Sequence, residues 1–320
     1  MKYRLLAGTG EKLSAIGLGC MGMSDFYGVK DDVNSILTLH RALELGINFW
    51  DTADFYGRGA NEQLIAKVLQ DNRDQVFLAT KFAARGSNPA DPTSAPVIDN
   101  SPEWIRKAVD LSLQRLGTNY IDLYYLHVYN PTWPIEETIG VMSELVQAGK
   151  VKYLGVSNIS GADLRRANSV HPIAAIQNEY SLLHREDDQD VLPVARELGI
   201  SYIAYSPMSR GIFFEKFDIS ATEKSDWRRT NSRFSGEHYD NNRKIAQGIT
   251  EIAGRKGVNA SQLSLAWLLN KNPDMIPIPG TKKVAYLEEN AAATALDLSV
   301  AELAEIEAVV ERFPNVGSKY

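Results

Sequence analysis

The run DVNSILTLHRALELGINFWDTADFYG occupies residues 32–57, and its reading decides the fold. Residues 32–45 carry side chains at helical spacing, with Val33, Ile36, Leu37, His40 and Leu43 along one face. Gly46 follows as a helix stop, since glycine takes up the left-handed backbone that ends a helix. Residues 47–50 form a short apolar run of the kind buried on both faces of a parallel sheet. The chain then turns polar at Asp51-Thr52-Ala53-Asp54-Phe55-Tyr56-Gly57.

The same rhythm recurs on either side of this unit. Strands are expected at 15–18, 47–50, 76–80, 121–126, 151–156, 174–178, 200–205 and 275–278. Helices are expected at 32–45, 102–116, 135–148, 161–167, 188–198, 241–255 and 284–293. Ser101 caps the second of them, Pro102 fills its first position, and Trp104, Ile105, Ala108, Leu111 and Leu116 face inward. Gly149 and Gly199 repeat the stop seen at Gly46. Strict alternation of strand and helix implies a parallel sheet. Eight units imply an α/β fold, a (β/α)8 TIM barrel, here with an N-terminal hairpin, extended βα loops and an extra C-terminal helix at 300–310. The whole chain, 1–320, reads as a single domain without repeats or low-complexity tracts. Two segments break the short rhythm, 83–100 and 209–240, and the second holds Trp227, Arg228, Arg229 and Arg233. Both follow strand C-terminal ends, where barrel enzymes keep their sites.

Bulk properties narrow the functional classes. A net charge of -6 argues against a broad nucleic-acid surface. The single cysteine, Cys20, allows no internal disulfide, and the scattered histidines give no zinc spacing, so no metal is expected. No segment approaches ~18 uninterrupted apolar residues, so no membrane span is expected. Met1-Lys2-Tyr3-Arg4-Leu5-Leu6 lacks a signal-peptide core, and a cytoplasmic location is the expectation. Oligomeric state leaves no mark in the sequence.

Polar residues gather at the strand ends: Asp51, Tyr56, Lys81, His127, Ser157, Asn158, Gln177, Asn178, Tyr205 and Ser206. Otherwise apolar strands with polar tips make poor core and good active sites. The first four form a chemical unit. A carbonyl that receives hydride needs a proton on its oxygen, and Tyr56 can supply it. Its ordinary pKa near ~10 is high for that task, and a neighbouring Lys81 cation would lower it. Asp51 would hold Lys81 in place, and His127 would hydrogen-bond the carbonyl oxygen.

The segments Asp51-Thr52-Ala53-Asp54-Phe55-Tyr56-Gly57, Ala79-Thr80-Lys81, Leu126-His127, Gly155-Val156-Ser157-Asn158, Tyr205-Ser206-Pro207 and Ile278-Pro279-Gly280-Thr281 resemble the aldo-keto reductase superfamily from end to end. The runs Gly17-Leu18-Gly19-Cys20-Met21-Gly22-Met23-Ser24 and Asp226-Trp227-Arg228-Arg229 resemble its pyridoxal-reductase-like branch. The resemblance implies NADPH-dependent reduction of aldehydes or ketones to alcohols, with a tetrad of Asp51, Tyr56, Lys81 and His127. It also implies cofactor contacts. Gly22 and Met23 lie beside the cofactor, Ser157, Asn158 and Gln177 at the nicotinamide carboxamide, and Tyr205 on the nicotinamide ring. Ser206, Pro207, Met208, Ser209 and Gly211 match the pyrophosphate stretch. Gly280, Thr281, Lys282, Glu289 and Asn290 match the adenosine end. Two positions depart from the family. Tyr286 stands where a basic residue often meets the ribose phosphate, leaving Lys282 and Lys283 for that role. Val128 stands where close relatives often carry arginine.

Phe26, Tyr27, Phe55, Trp133 and Trp227 are the candidate walls of an aromatic substrate pocket for a small-molecule carbonyl, which would suit aromatic or small aliphatic aldehydes, pyridoxal included. Gly17-x-Gly19-x-x-Gly22 satisfies a dinucleotide-binding fingerprint, but no helix opens directly after it. A second reading is an NADPH-binding regulatory subunit resembling the potassium-channel β-subunits; the intact tetrad favours turnover instead.

Overall fold

The computed structural model describes residues 1–24, 29–85, 97–214, 217–224 and 226–318. β1 (Tyr3–Leu5) and β2 (Lys12–Ser14) form the antiparallel N-terminal hairpin. The barrel strands are β3 (Leu18–Gly19), β4 (Phe49–Asp51), β5 (Phe77–Phe82), β8 (Ile121–Leu126), β9 (Val151–Ser157), β10 (Ile173–Glu179), β11 (Ser201–Tyr205) and β12 (Met275–Pro277). They neighbour one another in that order, every pair parallel. The sheet closes at its seam. Gly17 N–H donates to Pro277 O (2.9 Å), Gly19 N–H donates to Pro279 O (3.2 Å), and Gly19 bridges Gly280.

The seam also explains the glycine fingerprint. A Cβ on Gly17 would stand 2.6 Å from Phe49 Cδ1, and one on Gly19 would stand 2.8 Å from Ile278 O. These glycines let two strands and a ring approach closely. Among the described residues a short 3-10 turn (Met21–Met23) comes after them, and the next helix begins at Asp32.

Ten helices lie among the described residues: α1 (Asp32–Glu44), α2 (Ala60–Leu69), α3 (Pro102–Leu116), α4 (Ile135–Gln147), α5 (Gly161–Val170), α6 (Val191–Leu198), α7 (Gly236–Arg255), α8 (Ala260–Lys271), α9 (Val284–Ala292) and the C-terminal α10 (Val300–Glu311). Several expectations need correcting. The first barrel strand is Leu18–Gly19, because Ala15 and Ile16 leave the sheet to pack with Met208, Leu265 and Leu269. The buried face of α1 is Ser35, Thr38, Leu39 and Ala42, while Val33 and Leu37 are exposed. The hydroxyls of Ser35 and Thr38 donate to the carbonyls of Asp31 and Asn34 one turn back, so these polar side chains bury without an unmet donor. α2 and α8 were not expected. α2 carries Asn61 and Glu62 inward, which breaks the apolar period, and α8 is buried almost all round and therefore lacks one. α7 begins at Gly236, shortening the second long loop. The first long loop contains a small antiparallel pair, β6 (Ala84–Arg85) with β7 (Val97–Ile98); its remainder lies outside the described residues, as do Phe26 and Tyr27.

Side chains alternate across the barrel wall. Phe49, Phe77, Ala79, Leu123, Tyr125, Ala175 and Ile203 fill the interior, with Leu6 and Leu13 of the hairpin among them. Trp50, Leu78, Tyr124, Leu154, Ile176 and Tyr202 pack outward with the helices. No helix among the described residues is long and apolar enough to cross a membrane.

Candidate active site

The period of two that fills the interior also builds the site. Phe49, Ala79, Tyr125 and Ala175 point inward. Two residues further along, at the C-terminal ends, stand Asp51, Lys81, His127 and Gln177. The same parity therefore delivers one polar group from each of four strands to one mouth. Tyr56 arrives differently, on the turn after β4, where Gly57 (φ 55°), Arg58 (φ 56°) and Gly59 (φ 90°) are all left-handed. The other non-glycine residues with positive φ among those described are Asn158, Ser206, Ser209 and Arg210, all just beyond β9 or β11. Backbone strain thus collects at the functional end of the barrel.

Lys81 Nζ is the centre of the cluster. It donates to Asp51 Oδ1, to Thr52 O (2.8 Å) and to Tyr56 OH (3.3 Å). Asp51 Oδ2 accepts from Gln177 Nε2 at 2.8 Å, so the carboxylate is held from both sides. The Tyr56 and His127 rings meet edge to face, centroids 5.8 Å apart. Burial pulls Lys81 downward, but Asp51 and Tyr56 outweigh it and leave its pKa raised. Asp51 is itself raised, burial outweighing Lys81 and Gln177. The phenol corrects the expectation drawn from sequence. Burial pushes Tyr56 up to about 12, against a smaller downward pull from Lys81. Tyr56 is therefore a protonated phenol throughout the neutral range, the form a proton donor needs. Burial, with Lys81 adding to it, lowers His127 to about 3, so its imidazole is neutral.

That shift has a consequence for stability. Unfolded histidine titrates near ~6.5. A depressed folded pKa means that the unfolded chain binds the extra proton, so stability is lost as pH falls from about 6.5 toward about 3. Thermal melts over this window should show a shallower acid loss for His127→Gln than for the wild type. Equal slopes would mean that His127 is already charged in the folded protein.

The tetrad opens into a cleft of about 1240 Å³. Asp51, Tyr56 and His127 line one end; Lys81 sits behind Asp51 and Tyr56 and is not in the wall. Of the residues singled out for a cofactor, Gly22, Ser157, Asn158, Gln177, Tyr205, Ser206, Pro207, Met208, Gly211, Gly280, Thr281, Lys282 and Glu289 line it. Met23 is buried in the core, Ser209 is buried with its hydroxyl on Ser181 (3.0 Å), and Asn290 is buried beside Glu289. Tyr205 OH donates to Asn158 Oδ1 (2.9 Å), linking two strand ends under the cleft. Of the aromatic candidates, Phe55 and Trp227 line the cleft, joined by Met21, Ile98 and Val128, but Trp133 does not. Trp133 sits in the turn that leads into α4, its backbone N–H donating to Asn130 O.

A supporting layer escaped the sequence reading. Asn61 Oδ1 accepts from Thr52 Oγ1 (2.6 Å), and its Nδ2 donates to Cys20 O (2.8 Å), which ties the ends of β3 and β4 together. Glu62, fully buried, accepts from Thr80 Oγ1 (2.7 Å) and from Arg115 Nε (2.6 Å). The available signal was two polar residues on the face that carries Leu64, Ile65, Val68 and Leu69.

The fold, with its polar cluster at the C-terminal mouth, is that of a (β/α)8 barrel oxidoreductase. The chain belongs to the aldo/keto reductase family, whose model matches residues 15–311. It is 38% identical over 316 residues to the Schizosaccharomyces pombe aldo-keto reductase yakc, whose name specifies NADP(+), covering 97% of this chain and 92% of that one. The solved glycerol dehydrogenase AKR11B4 of Gluconobacter oxydans superposes with a TM-score of 0.90 at 27% identity, covering 99% and 98% of the two chains. An aldo/keto reductase of Klebsiella pneumoniae, solved with NADP and acetate, gives 0.74 at 25% identity, covering 100% and 98%.

Proposed function

We propose that this protein reduces aldehydes and ketones to alcohols with NADPH, using Tyr56 as the proton donor. The observation that carries this reading is Lys81 Nζ, held between Asp51 and the Tyr56 hydroxyl at the head of the cleft. When bound, the nicotinamide supplies the hydride to the carbonyl carbon. Tyr56 gives its proton to the carbonyl oxygen, and the Lys81 cation holds the phenolate left behind. A neutral His127 donates a hydrogen bond to the same oxygen and aims it at Tyr56. Asp51, fixed by Gln177, keeps Lys81 in place. A positioned general acid accounts for ~10²–10⁴-fold of such a rate, with orientation adding the rest.

The residues present suit a nicotinamide dinucleotide. The cleft is long enough to join the tetrad to Lys282 and Glu289. Behind the far end, beside the lining residue Glu289, Asn290 Nδ2 is buried without a partner among the described residues. Tyr286 stacks on Phe214 (5.6 Å) and Lys283 lies over its ring (5.3 Å), an aromatic wall where relatives often carry a cation. Lys282 Nζ donates to Val29 O (2.6 Å), so it already stands at the cleft rim. Met21, Phe55, Ile98, Val128 and Trp227 give the substrate end an apolar character, suited to aromatic and small aliphatic aldehydes.

Fluorescence titration tests the cofactor, and a carbonyl screen following NADPH absorbance tests the reaction. NADPH should bind more tightly than NADH, with an advantage that shrinks as salt rises. Lys282→Met should weaken NADPH about tenfold or more and leave NADH nearly unchanged, the scale of one charge-assisted contact. Equal affinity for both nucleotides at all salt concentrations would remove the phosphate from this end of the cleft.

A further inference from the structure

β10 ends in Glu179, a carboxylate with no solvent exposure that the chemistry above does not use. Its two oxygens hold two arginines. Arg210 NH2 donates to Oε2 and Arg233 NH1 to Oε1, each at 2.6 Å. Arg210 stands at the start of the segment 209–235 that follows β11, and Arg233 stands near its end. One buried carboxylate on the barrel rim therefore grips both ends of a segment whose described residues help to line the cleft.

The grip extends to the cleft wall. The Arg210 guanidinium lies 4.4 Å from the Trp227 ring centroid, and Arg228 NH1 donates to Arg210 O (3.0 Å). Arg210, Trp227 and Arg228 all line the cleft. Arg233 is secured further by His184 Nδ1 (3.2 Å) and Gly317 O, and its own carbonyl accepts from Asn242 Nδ2 (3.0 Å). Ser209, Arg210 and Gly211 all have positive φ, a conformation that a chain holds only when its surroundings impose it. A loop fixed before its ligand arrives spares the ligand the entropy of ordering it.

We infer that Glu179 is a positioning residue for the nucleotide: it pins both ends of the 209–235 segment and so sets how tightly, and for how long, the cofactor is held. The inference rests on the nucleotide reading of the cleft. Only a carboxylate serves both arginines, since it presents two acceptor oxygens. An amide keeps the shape but turns one of them into a donor facing a guanidinium.

The test compares wild type, Glu179→Gln and Arg233→Met by NADPH fluorescence titration, stopped-flow release of NADPH and hydrogen exchange without cofactor. Glu179→Gln should bind NADPH about tenfold or more weakly through faster release, with faster exchange confined to 209–235 and its neighbours on the rim. At saturating NADPH its single-turnover reduction rate should fall by less than its NADPH affinity, because the tetrad is untouched. Arg233→Met frees only the far end and should move release in the same direction; it decides the matter if Glu179→Gln does not fold. A variant that melts earlier yet keeps wild-type NADPH affinity and release would make Glu179 a purely structural ion pair and overturn the inference. Failure of the wild type to bind NADPH would instead overturn the nucleotide reading itself.

Discussion

Tyr56→Phe should lower carbonyl reduction by ~10²-fold or more while leaving the fold and NADPH affinity nearly intact, the scale of losing a general acid. The substitution deletes one oxygen. The ring keeps its edge-to-face contact with His127, and Lys81 keeps its bonds to Asp51 and Thr52 O. The lost Lys81–Tyr56 bond, 3.3 Å long, is the weakest of the three geometrically, so the melting transition should move by about 1 kcal/mol or less. The loss should fall on kcat, since the proton is needed only as negative charge develops on the carbonyl oxygen. Burial holds the Tyr56 phenol up at about 12 in the free protein, so the wild-type reduction rate should fall only in strongly alkaline solution. A Tyr56→Phe enzyme with native kinetics would mean that water or another side chain delivers the proton.

The barrel was legible because its signals are local. The ends of the second to seventh strands announced themselves by a switch from apolar to polar, and period-two parity carried Asp51, Lys81, His127 and Gln177 to one mouth. What escaped the sequence depended on partners distant along the chain. The inward face of α1 is marked by Ser35 and Thr38, whose hydroxyls are satisfied within the helix, so reading by hydrophobicity chose a face of which only Ile36 and Leu43 pack against the core, at the edge. α8 is buried on nearly all sides and has no polar face to define a period. Trp133 was drawn into the pocket by its chemistry alone, and the turn before α4 keeps it away. The direction of the Tyr56 shift was misjudged for a related reason. A neighbouring cation can be inferred from two residues, but burial depends on the whole wall around them, and here burial dominates. Glu179 lies one residue past the strand expected at 174–178, and its two arginines lie 31 and 54 positions further on.

Lys81→Met should cost both activity and stability, and the way the stability loss varies with pH identifies its cause. Activity should fall ~10²-fold or more, because the phenolate formed on proton transfer loses the cation that holds it. Stability falls because Asp51, 2% exposed, loses its charged partner and keeps only Gln177. Breaking a buried pair from one side costs ~3–5 kcal/mol when the stranded charge cannot escape. Asp51 has an escape: burial already raises its pKa with Lys81 present, and removing Lys81 removes the main opposing pull. A carboxyl whose folded pKa lies above its unfolded value near ~3.9 is fully compatible with folding at low pH and becomes costly as pH rises through the folded value. The melting deficit of Lys81→Met should therefore be largest in alkaline buffer and shrink on acidification. Adding Asp51→Asn should remove most of that pH dependence, since no charge is left to strand. Melts of the wild type, Lys81→Met and the double variant between about pH 5 and 9 decide it. A Lys81→Met deficit that does not vary with pH would show that the loss comes from packing around the aliphatic stem, and that Asp51 is not stranded as an anion when its partner is gone.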